Sequence, residues 1–378
     1  MRLYEYTPNS AWLFAILTLL FKPDAISDAD AVNLAIAHAL YPNLHAQPHP
    51  SVPCPSNPQN SRPNHPPHAS IPSESPELID KDCPFCDDLR RFLRRFQCFP
   101  SIDACISRQP KCEERGFLQR LETLTAILLN PIIPIDGTPK FDAIHAFSQN
   151  FRAHKIDFEA LTKLQRALSL HTVKRSGWYE LGPADFSCAE RPHPTASHPV
   201  FENVASHSFK TALIAYALAQ SPYRAPAFIM ALFHDWPECL TGDATPRTPI
   251  STHDKHEAER RANQTLLSLL PIDPIPATVK NAFPIYMKRR SQNDFCEIQN
   301  TLSVGESPLS AVHDAYIAHI VRLADKFDML IQAVVYQAQT RFNYGEILES
   351  AHKEIARDFE GFSQLLQTCS SLFAPQIS

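Results

Sequence analysis

The chain has 378 residues, 44% of them hydrophobic, which allows two domains, or one domain with extensions, around a sizeable core. Its formal net charge of -5 argues against a broad surface for duplex nucleic acid, because such a surface needs an excess of lysine and arginine. Only 8 glycines are present, and neither GxGxxG nor GxxxxGK(S/T) occurs, which argues against dinucleotide-binding and P-loop folds.

The N-terminal segment, residues 1–40, is predicted to be helical. It contains an apolar run at residues 11–21, which is too short to span a bilayer. One arginine and one glutamate precede this run and no clear small-residue cleavage site follows it, so a buried helix or strand is favoured over a signal sequence. We therefore expect no association with a membrane.

A proline-rich segment follows at residues 41–80. It holds 11 of the 34 prolines, together with many serine, asparagine and histidine residues and hardly any large apolar ones. Such a composition buries too little surface to offset the entropy lost on ordering. We therefore predict a disordered linker and interpret its histidines as solvated.

Residues 82–157 are predicted to form a helical extension of unknown role. Helical spacing of apolar residues returns there, as at Leu118, Leu121, Leu124 and Leu128. Cys83 and Cys86 form a CxxC pair without a matching second pair, so a four-ligand zinc site is a less favoured alternative. The 10 cysteines are too scattered for a disulfide scaffold, which favours reduced thiols and a cytoplasmic protein.

From residue 158 onward the pattern predicts nearly continuous helices, and hence an all-α fold. His207 lies near the start of one predicted helix and His234 near the end of the next. A short connection favours an antiparallel hairpin, which would bring the two histidines together. Asp235 follows His234 directly, and nitrogen plus carboxylate ligands suit Mn, Co, Fe or Zn better than Ca.

A third element of the predicted site is the amphipathic helix at residues 317–329. Asp325 lies on or beside its apolar side, close in sequence to Val321 and Ala324. A buried carboxylate is costly unless it is paired or binds a metal ion. The alternative to a metal ligand is a salt bridge to Arg322 or Lys326.

Taken together, these motifs resemble the HD-domain phosphohydrolases, and more narrowly their 5'-deoxynucleotidase branch. The matching words are KRSGW at residues 174–178, ENVASHS at 202–208, HDWPE at 234–238, TGD at 241–243, TP at 245–246 and AD at 324–325. The resemblance covers roughly residues 158–366 and implies an all-helical HD domain, which we place at residues 158–378. Residues 1–157 match no family.

The resemblance also implies the roles of individual residues. One divalent ion (Co, Mn, Mg, Fe or Zn) would be bound by His207, His234, Asp235 and Asp325. Glu238 would orient or deprotonate the attacking water and, with Asp235, carry the catalysis. Substrate binding would use Arg175 on the phosphate, Trp178 on the nucleoside and Asp243 on the sugar 3'-hydroxyl, where it favours deoxyribose.

Several features depart from the family pattern. Trp236 and Pro237 replace small helix formers, and Pro237 is expected to bend the helix before Glu238. Insertions occur at residues 187–200 and roughly 291–313. The basic cluster at residues 288–290 is interpreted as a solvated helix end.

The predicted function is metal-dependent removal of phosphate from (deoxy)nucleoside 5'-monophosphates through a metal-activated water. Two alternatives stay open. One is an HD hydrolase of another phosphate ester, such as a deoxynucleoside triphosphate, which would need more basic residues near the site. The other is a nucleotide-sensing module with little catalysis. The expected partner is a small nucleotide rather than duplex nucleic acid or a membrane, and a homodimer is left open.

Overall fold

The computed structural model describes residues 8–40, 112–129, 158–180, 201–245, 247–292, 295–339 and 344–368. Within these ranges the chain is helical, and Lys174 and Asn203 form an isolated antiparallel bridge rather than a strand. The predicted all-α fold is therefore confirmed. The predicted linker at 41–80, the Cys83–Cys86 pair and the insertion at 187–200 lie outside the described residues.

The helices follow one another with short connections from residue 201 onward. In chain order they are α1 (Pro8–Phe21), α2 (Asp28–Leu40), α3 (Cys112–Leu129), α4 (Phe158–Ala167), α5 (Ser176–Glu180), α6 (Val204–Leu218), α7 (Arg224–Phe233), α8 (Glu238–Thr241), α9 (Thr252–Leu269), α10 (Ala277–Arg289), α11 (Phe295–Asn300), α12 (Pro308–Gln339) and α13 (Gly345–Thr368). A 3₁₀ turn at Ser169–Thr172 joins α4 to α5. Among the described helices, none combines the length and apolar character that a membrane crossing requires.

Helices α6 and α7 lie at the centre of the core and pack along each other. Helix α6 is buried along nearly its whole length, as expected of a helix that is apolar on all sides. Its first turn is fixed by Asn203, whose side chain accepts a hydrogen bond from Ser206 N at 2.9 Å. This cap places His207 in the first turn, at the end of the hairpin where α7 finishes.

The N-terminal helices belong to the same core as the C-terminal ones. The predicted apolar run lies in α1 and is buried, and α1 packs against α2, α3 and α6. Trp12 Nε1 donates a hydrogen bond to Leu232 O at 3.2 Å, and Tyr216 donates through its hydroxyl to Asn33 Oδ1 at 2.8 Å. Segment 1–40 is thus helical as predicted where it is described, and it covers α6 and α7 directly. The leucine stripe predicted in α3 is also buried, at Leu118, Leu121, Leu124 and Leu128.

The basic cluster at the end of α10 corrects one expectation. Arg289 is fully buried, and its guanidinium donates to Gln292 Oε1 at 2.7 Å and to Thr301 Oγ1 at 3.0 Å, besides its ion pair with Glu306. The interpretation of this cluster as a solvated helix end is therefore wrong for Arg289. The reason is tertiary, because the insertion after α10 folds back and supplies acceptors for the buried charge.

Candidate metal centre

Three predicted ligands from three helices converge at one place. His207 lies in the first turn of α6, His234 directly follows the last residue of α7, and Asp325 lies in the middle of α12. The two imidazole centroids are 5.5 Å apart, and His207 Nε2 lies 3.1 Å from Asp325 Oδ1. One potential ligand atom from each of the three residues lies within 4.8 Å of the others. This spacing is close to that of ligand atoms held at roughly 2.1 Å from a common first-row ion.

Asp235, the fourth predicted ligand, faces the same point. Its Oδ2 lies 3.2 Å from His234 Nε2 and 3.6 Å from His207 Nε2. About one fifth of the Asp235 side chain is exposed, so the cluster is open to solvent on this side. The structure therefore brings all four residues together, and their binding of a metal ion remains a prediction.

The outer nitrogens of both imidazoles are already engaged. His207 Nδ1 lies 2.7 Å from Asp328 Oδ2, and His234 Nδ1 lies 2.6 Å from Ala231 O. A proton on each Nδ1 satisfies these acceptors and leaves the Nε2 lone pairs pointing into the cluster. His234 Nε2 is buried and makes no hydrogen bond within the described residues. This donor set fits a divalent metal ion, which would satisfy the buried nitrogen.

The charged groups of the cluster stabilise one another in their ionised forms in spite of burial. Burial raises the pKa of Asp235, but His234 and then Arg175 hold it below its ordinary value. Burial acts in the same way on Asp325, whose pKa is held well below the ordinary range mainly by Lys326 and His207. Burial and Arg175 lower the pKa of His207, yet Asp325 and Asp328 raise it to about 9. Binding of a metal ion at Nε2 would require that nitrogen to carry no proton.

Arg175 lies over the same cluster, as the motif predicts. One of its terminal nitrogens lies 3.2 Å from His207 Nε2, and the other lies 3.7 Å from Asp235 Oδ2 and 3.5 Å from Asp243 Oδ1. Asp243 Oδ2 accepts a hydrogen bond from Ser176 N at 2.6 Å, which ties the turn after Arg175 to this carboxylate. The structure thus shows Asp243 holding Arg175 in place, and its predicted contact with a sugar hydroxyl remains a prediction.

Glu238 reaches the site by a different route from the one expected. Helix α7 ends at Phe233, residues 234–237 form a turn, and Glu238 begins α8, so His234 and Glu238 do not share one continuous helix. This break agrees with the effect expected of Pro237. Glu238 is nevertheless buried beside the cluster, and its Oε2 makes no hydrogen bond within the described residues. Burial, and then Asp235 and Asp243, raise its pKa well above the ordinary value of a glutamate.

Trp178 has a different environment from the predicted one. Its side chain belongs to a small core with Tyr336 and Tyr344, whose rings it meets edge to face at 5.1 and 5.7 Å. Its indole nitrogen donates to Glu202 Oε1 at 3.0 Å. The residue is only 4% exposed, which leaves little surface for a nucleoside to stack on. The predicted contact of Trp178 with the nucleoside remains a prediction.

Trp236 explains how the unusual HDWPE word is accommodated. Its ring is fully buried beside Phe233, and its indole nitrogen donates to Ala167 O at 2.7 Å. Ala167 ends α4, so this hydrogen bond ties the turn that carries the ligands to the preceding helix. The bulky residue is thus an anchor for the turn rather than a disturbance.

Sequence reasoning missed Asp328 and underestimated Lys326. Asp328 follows Asp325 by three residues on α12, and this spacing, which puts both on one face of the helix, is the signal that could have found it. Lys326 Nζ lies 3.3 Å from Asp325 Oδ2 and 3.1 Å from Glu354 Oε2. The salt bridge considered as an alternative for Asp325 is therefore present with Lys326, in addition to the contact with His207. Arg322 instead pairs with Asp358.

The chain is similar to known proteins over its C-terminal half. The HD-domain family model matches residues 191–366. Human 5'-deoxynucleotidase HDDC2 is 25% identical over 169 residues, which cover 44% of this chain and 63% of that protein. The Bos taurus protein of the same name is 32% identical over 105 residues, covering 28% of this chain and 44% of the relative. The chain thus spans less than two thirds of the length of these curated relatives.

A solved structure, that of the PH0347 protein from Pyrococcus horikoshii OT3, aligns with 56% of this chain and 99% of that chain at 23% identity. The TM-score of this alignment is 0.36, which is too low to support a structural argument. The matched residues 191–366 include α6, α7 and α12, the three helices that bring the predicted ligands together. This part of the chain therefore matches the HD-domain family, and the chain resembles the 5'-deoxynucleotidase members of that family.

Proposed function

We propose that this protein is a divalent-metal-dependent phosphohydrolase that removes phosphate from deoxynucleoside 5'-monophosphates. The observation that carries the proposal is the convergence of His207, His234 and Asp325 within 4.8 Å. Arg175 lies beside them, with its guanidinium 3.7 Å from Asp235. The names of the curated relatives support the nucleotide substrate.

The four predicted ligands would hold the ion, and the surrounding residues divide the remaining work. A bound divalent ion supplies Lewis acidity toward a phosphate ester and lowers the pKa of water that it coordinates. Arg175 presents a planar set of donors that matches two phosphate oxygens, and Asp243 fixes its position. Glu238, buried and with a raised pKa, accepts a proton from the attacking water. The water oxygen forms a bond to phosphorus as the bond between phosphorus and the nucleoside 5'-oxygen breaks. The leaving oxygen takes up a proton in exchange for the one that Glu238 accepts, so no covalent intermediate with the protein is needed.

The contacts made by the basic cluster at residues 288–290 favour a monophosphate substrate over a triphosphate. A triphosphate carries more negative charge and needs more cations near the site. Lys288 Nζ lies 2.7 Å from Glu306 Oε2, and the buried Arg289 pairs with the other oxygen of the same carboxylate. Two of the three cations that the triphosphate alternative would use therefore share one carboxylate, that of Glu306, as their ion-pair partner. The third, Arg290, lies over the Tyr286 ring, which packs against His234. With Arg175 and Lys326 it gives the site few cations for the charge of a triphosphate.

The proposal is tested by phosphate release from the full chain. The protein is stripped with a chelator and reloaded separately with Mn²⁺, Co²⁺, Mg²⁺, Fe²⁺ and Zn²⁺. It is then assayed with the four common deoxynucleoside monophosphates, AMP and dATP. We expect metal-dependent release of inorganic phosphate from the deoxynucleoside monophosphates and slower release from AMP. Release of triphosphate or pyrophosphate from dATP supports the alternative hydrolase, and nucleotide binding without turnover supports a sensing module.

The variant Asp325→Ala tests the metal centre within the same assay. Removal of this carboxylate should abolish both the bound ion and turnover, with helical content retained in circular dichroism. Asp314→Ala is the matched control, because Asp314 lies on the same helix, three turns before the site. It should retain metal content and turnover. Full activity of Asp325→Ala would remove Asp325 from the site.

A further inference from the structure

A second acidic group lies behind His207, on the side of the imidazole away from His234. Glu202, His207 and Asp328 offer ligand atoms within 4.8 Å of one another, which by donor type alone could hold a cation. A cation of the chain itself is already there, because Lys210 Nζ lies 3.3 Å from Asp328 Oδ1 and forms an ion pair with Glu202. The ammonium group supplies the positive charge that these two carboxylates need.

We infer that Asp328 is a positioning residue that orients His207 toward the metal ion, and that Lys210 and Glu202 hold Asp328 in the required rotamer. This inference rests on the proposed function, because it assumes that His207 Nε2 binds the ion. It assigns the second acidic group to the support of the first site rather than to a second metal ion.

Helix α12 contacts both nitrogens of the same imidazole. Asp325 Oδ1 lies 3.1 Å from Nε2, and Asp328 Oδ2 lies 2.7 Å from Nδ1. The two aspartates are three residues apart, so they project from one face of the helix nearly one turn apart. Contacts at both ring nitrogens fix the plane of the His207 ring, and a proton on Nδ1 leaves Nε2 free to bind the ion. The His207 and Asp328 side chains are 1% and 2% exposed, so water does not compete for this bond.

Lys210 fixes the orientation of the Asp328 carboxylate. It lies on α6 three residues after His207, so the pair on α6 meets the pair on α12. Lys210 pairs with Oδ1 of Asp328, so Oδ2 is available to accept a hydrogen bond from the imidazole.

Glu202 joins this network to the small aromatic core. Its Oε1 accepts from Trp178 Nε1 at 3.0 Å, and its backbone nitrogen donates to the Tyr336 hydroxyl at 2.7 Å. Its other carboxylate oxygen pairs with Lys210. Contacts thus run from Trp178 to Glu202, and on through Lys210 and Asp328 to His207. Through them the buried tryptophan supports the metal centre from a distance. A largely buried network of paired charges of this kind restricts its members to one arrangement.

The test is a Co²⁺ titration of the chelator-treated full chain, followed by calorimetry and by the visible absorption of the bound ion. Asp328→Leu, which removes the acceptor, should weaken Co²⁺ binding by about 10- to 100-fold, as loss of outer-sphere partners of metal-bound histidines does. Asp328→Asn should weaken it less, because the amide oxygen still accepts from Nδ1–H. The asparagine variant keeps the inference testable if the leucine variant does not fold.

Two further variants separate orientation of His207 from a general loss of stability. Glu122→Gln is the matched control, because Glu122 Oε1 lies 3.0 Å from Nε2 of the buried His38 in the N-terminal helices, away from the metal centre. It should lower the melting temperature without changing Co²⁺ affinity. Lys210→Gln should weaken Co²⁺ binding less than Asp328→Leu does, because the contact between Asp328 and His207 remains but the Asp328 carboxylate has lost the group that holds its rotamer.

The outcomes distinguish the two levels of the proposal. Unchanged Co²⁺ affinity in Asp328→Leu and Asp328→Asn would overturn the positioning role and leave the proposed function intact. Parallel losses of affinity and stability in all variants, including Glu122→Gln, would also overturn it. Two Co²⁺ ions per wild-type chain would identify the second acidic group as a metal site after all. A wild-type chain that binds no Co²⁺, Mn²⁺ or Zn²⁺ would refute the proposed function itself.

Discussion

The hydrogen bond between Trp12 and Leu232 connects the N-terminal helix to the end of the helix that precedes His234. Because the helix ends at Phe233, Trp236 N donates its hydrogen bond to Phe233 O rather than to Leu232 O. The Leu232 carbonyl accepts a hydrogen bond from the Trp12 indole nitrogen instead. Trp12 is fully buried. The substitution Trp12→Phe removes this donor and part of the ring volume while retaining an apolar side chain.

The expected cost has two contributions. Leaving a buried carbonyl without a donor costs about 1–3 kcal/mol. The volume lost between an indole and a phenyl ring adds a cavity contribution of about 1 kcal/mol, scaled from large-to-small core substitutions. The free energy of unfolding should therefore fall by roughly 2–4 kcal/mol. Because the lost bond ends two residues before His234, Co²⁺ binding should weaken as well.

The assay is urea denaturation followed by circular dichroism, with and without Co²⁺. Tyr216→Phe is the matched control, since it removes one buried hydrogen bond to Asn33 between the same two parts of the chain without leaving a cavity of ring size. It should cost about 1 kcal/mol. A change below about 0.5 kcal/mol for Trp12→Phe, the range of neutral surface substitutions, would refute the reasoning that α1 stabilises the end of α7.

Three further predictions concern charged groups. Burial raises the pKa of Glu306, but Lys288, the Ser303 amide and Arg289 lower it to about 2. The contribution of Glu306 to the free energy of unfolding should therefore be complete above pH 4.5 and disappear as the pH falls toward 2. Glu306→Gln should flatten the melting temperature over that interval, and an unchanged acid profile would contradict the pairing. Arg175→Lys should raise KM for dAMP by about tenfold through loss of the bidentate contact, whereas an unaltered KM would exclude Arg175 from phosphate binding. Glu238→Gln should reduce kcat by about 10²- to 10⁴-fold with Co²⁺ affinity retained, and a joint loss of affinity would make Glu238 a ligand instead.

Much of the metal centre was accessible from the sequence. Histidine and aspartate are the residue types that bind a divalent ion, and each lies at a position that local periodicity defines. The apolar stripe after His207 predicted a buried helix with that residue in its first turn, and the structure agrees. Pro237 likewise signalled the end of α7, since a proline lacks the amide that helix hydrogen bonding needs.

Other features were decided by contacts between segments that are far apart in the chain. The motif suggests that Trp178 binds substrate. Its side chain is buried, however, by Tyr336 and Tyr344, which lie more than 150 positions later in the chain. The sequence suggests that Arg289 lies at a solvated helix end, but the insertion that follows the helix folds over this residue. Asp328 acquires its role from His207, 121 residues earlier.

The sequence by itself therefore determined which helices form and which residues have the chemistry to bind a metal ion. Both follow from the identity of a residue and its near neighbours, since helical spacing repeats within a few positions. The tertiary structure alone decided which side chains are buried, which charge is paired and which ring nitrogen faces the candidate metal site. Those properties depend on groups brought together only when α6, α7 and α12 pack against one another, and no local pattern records that contact.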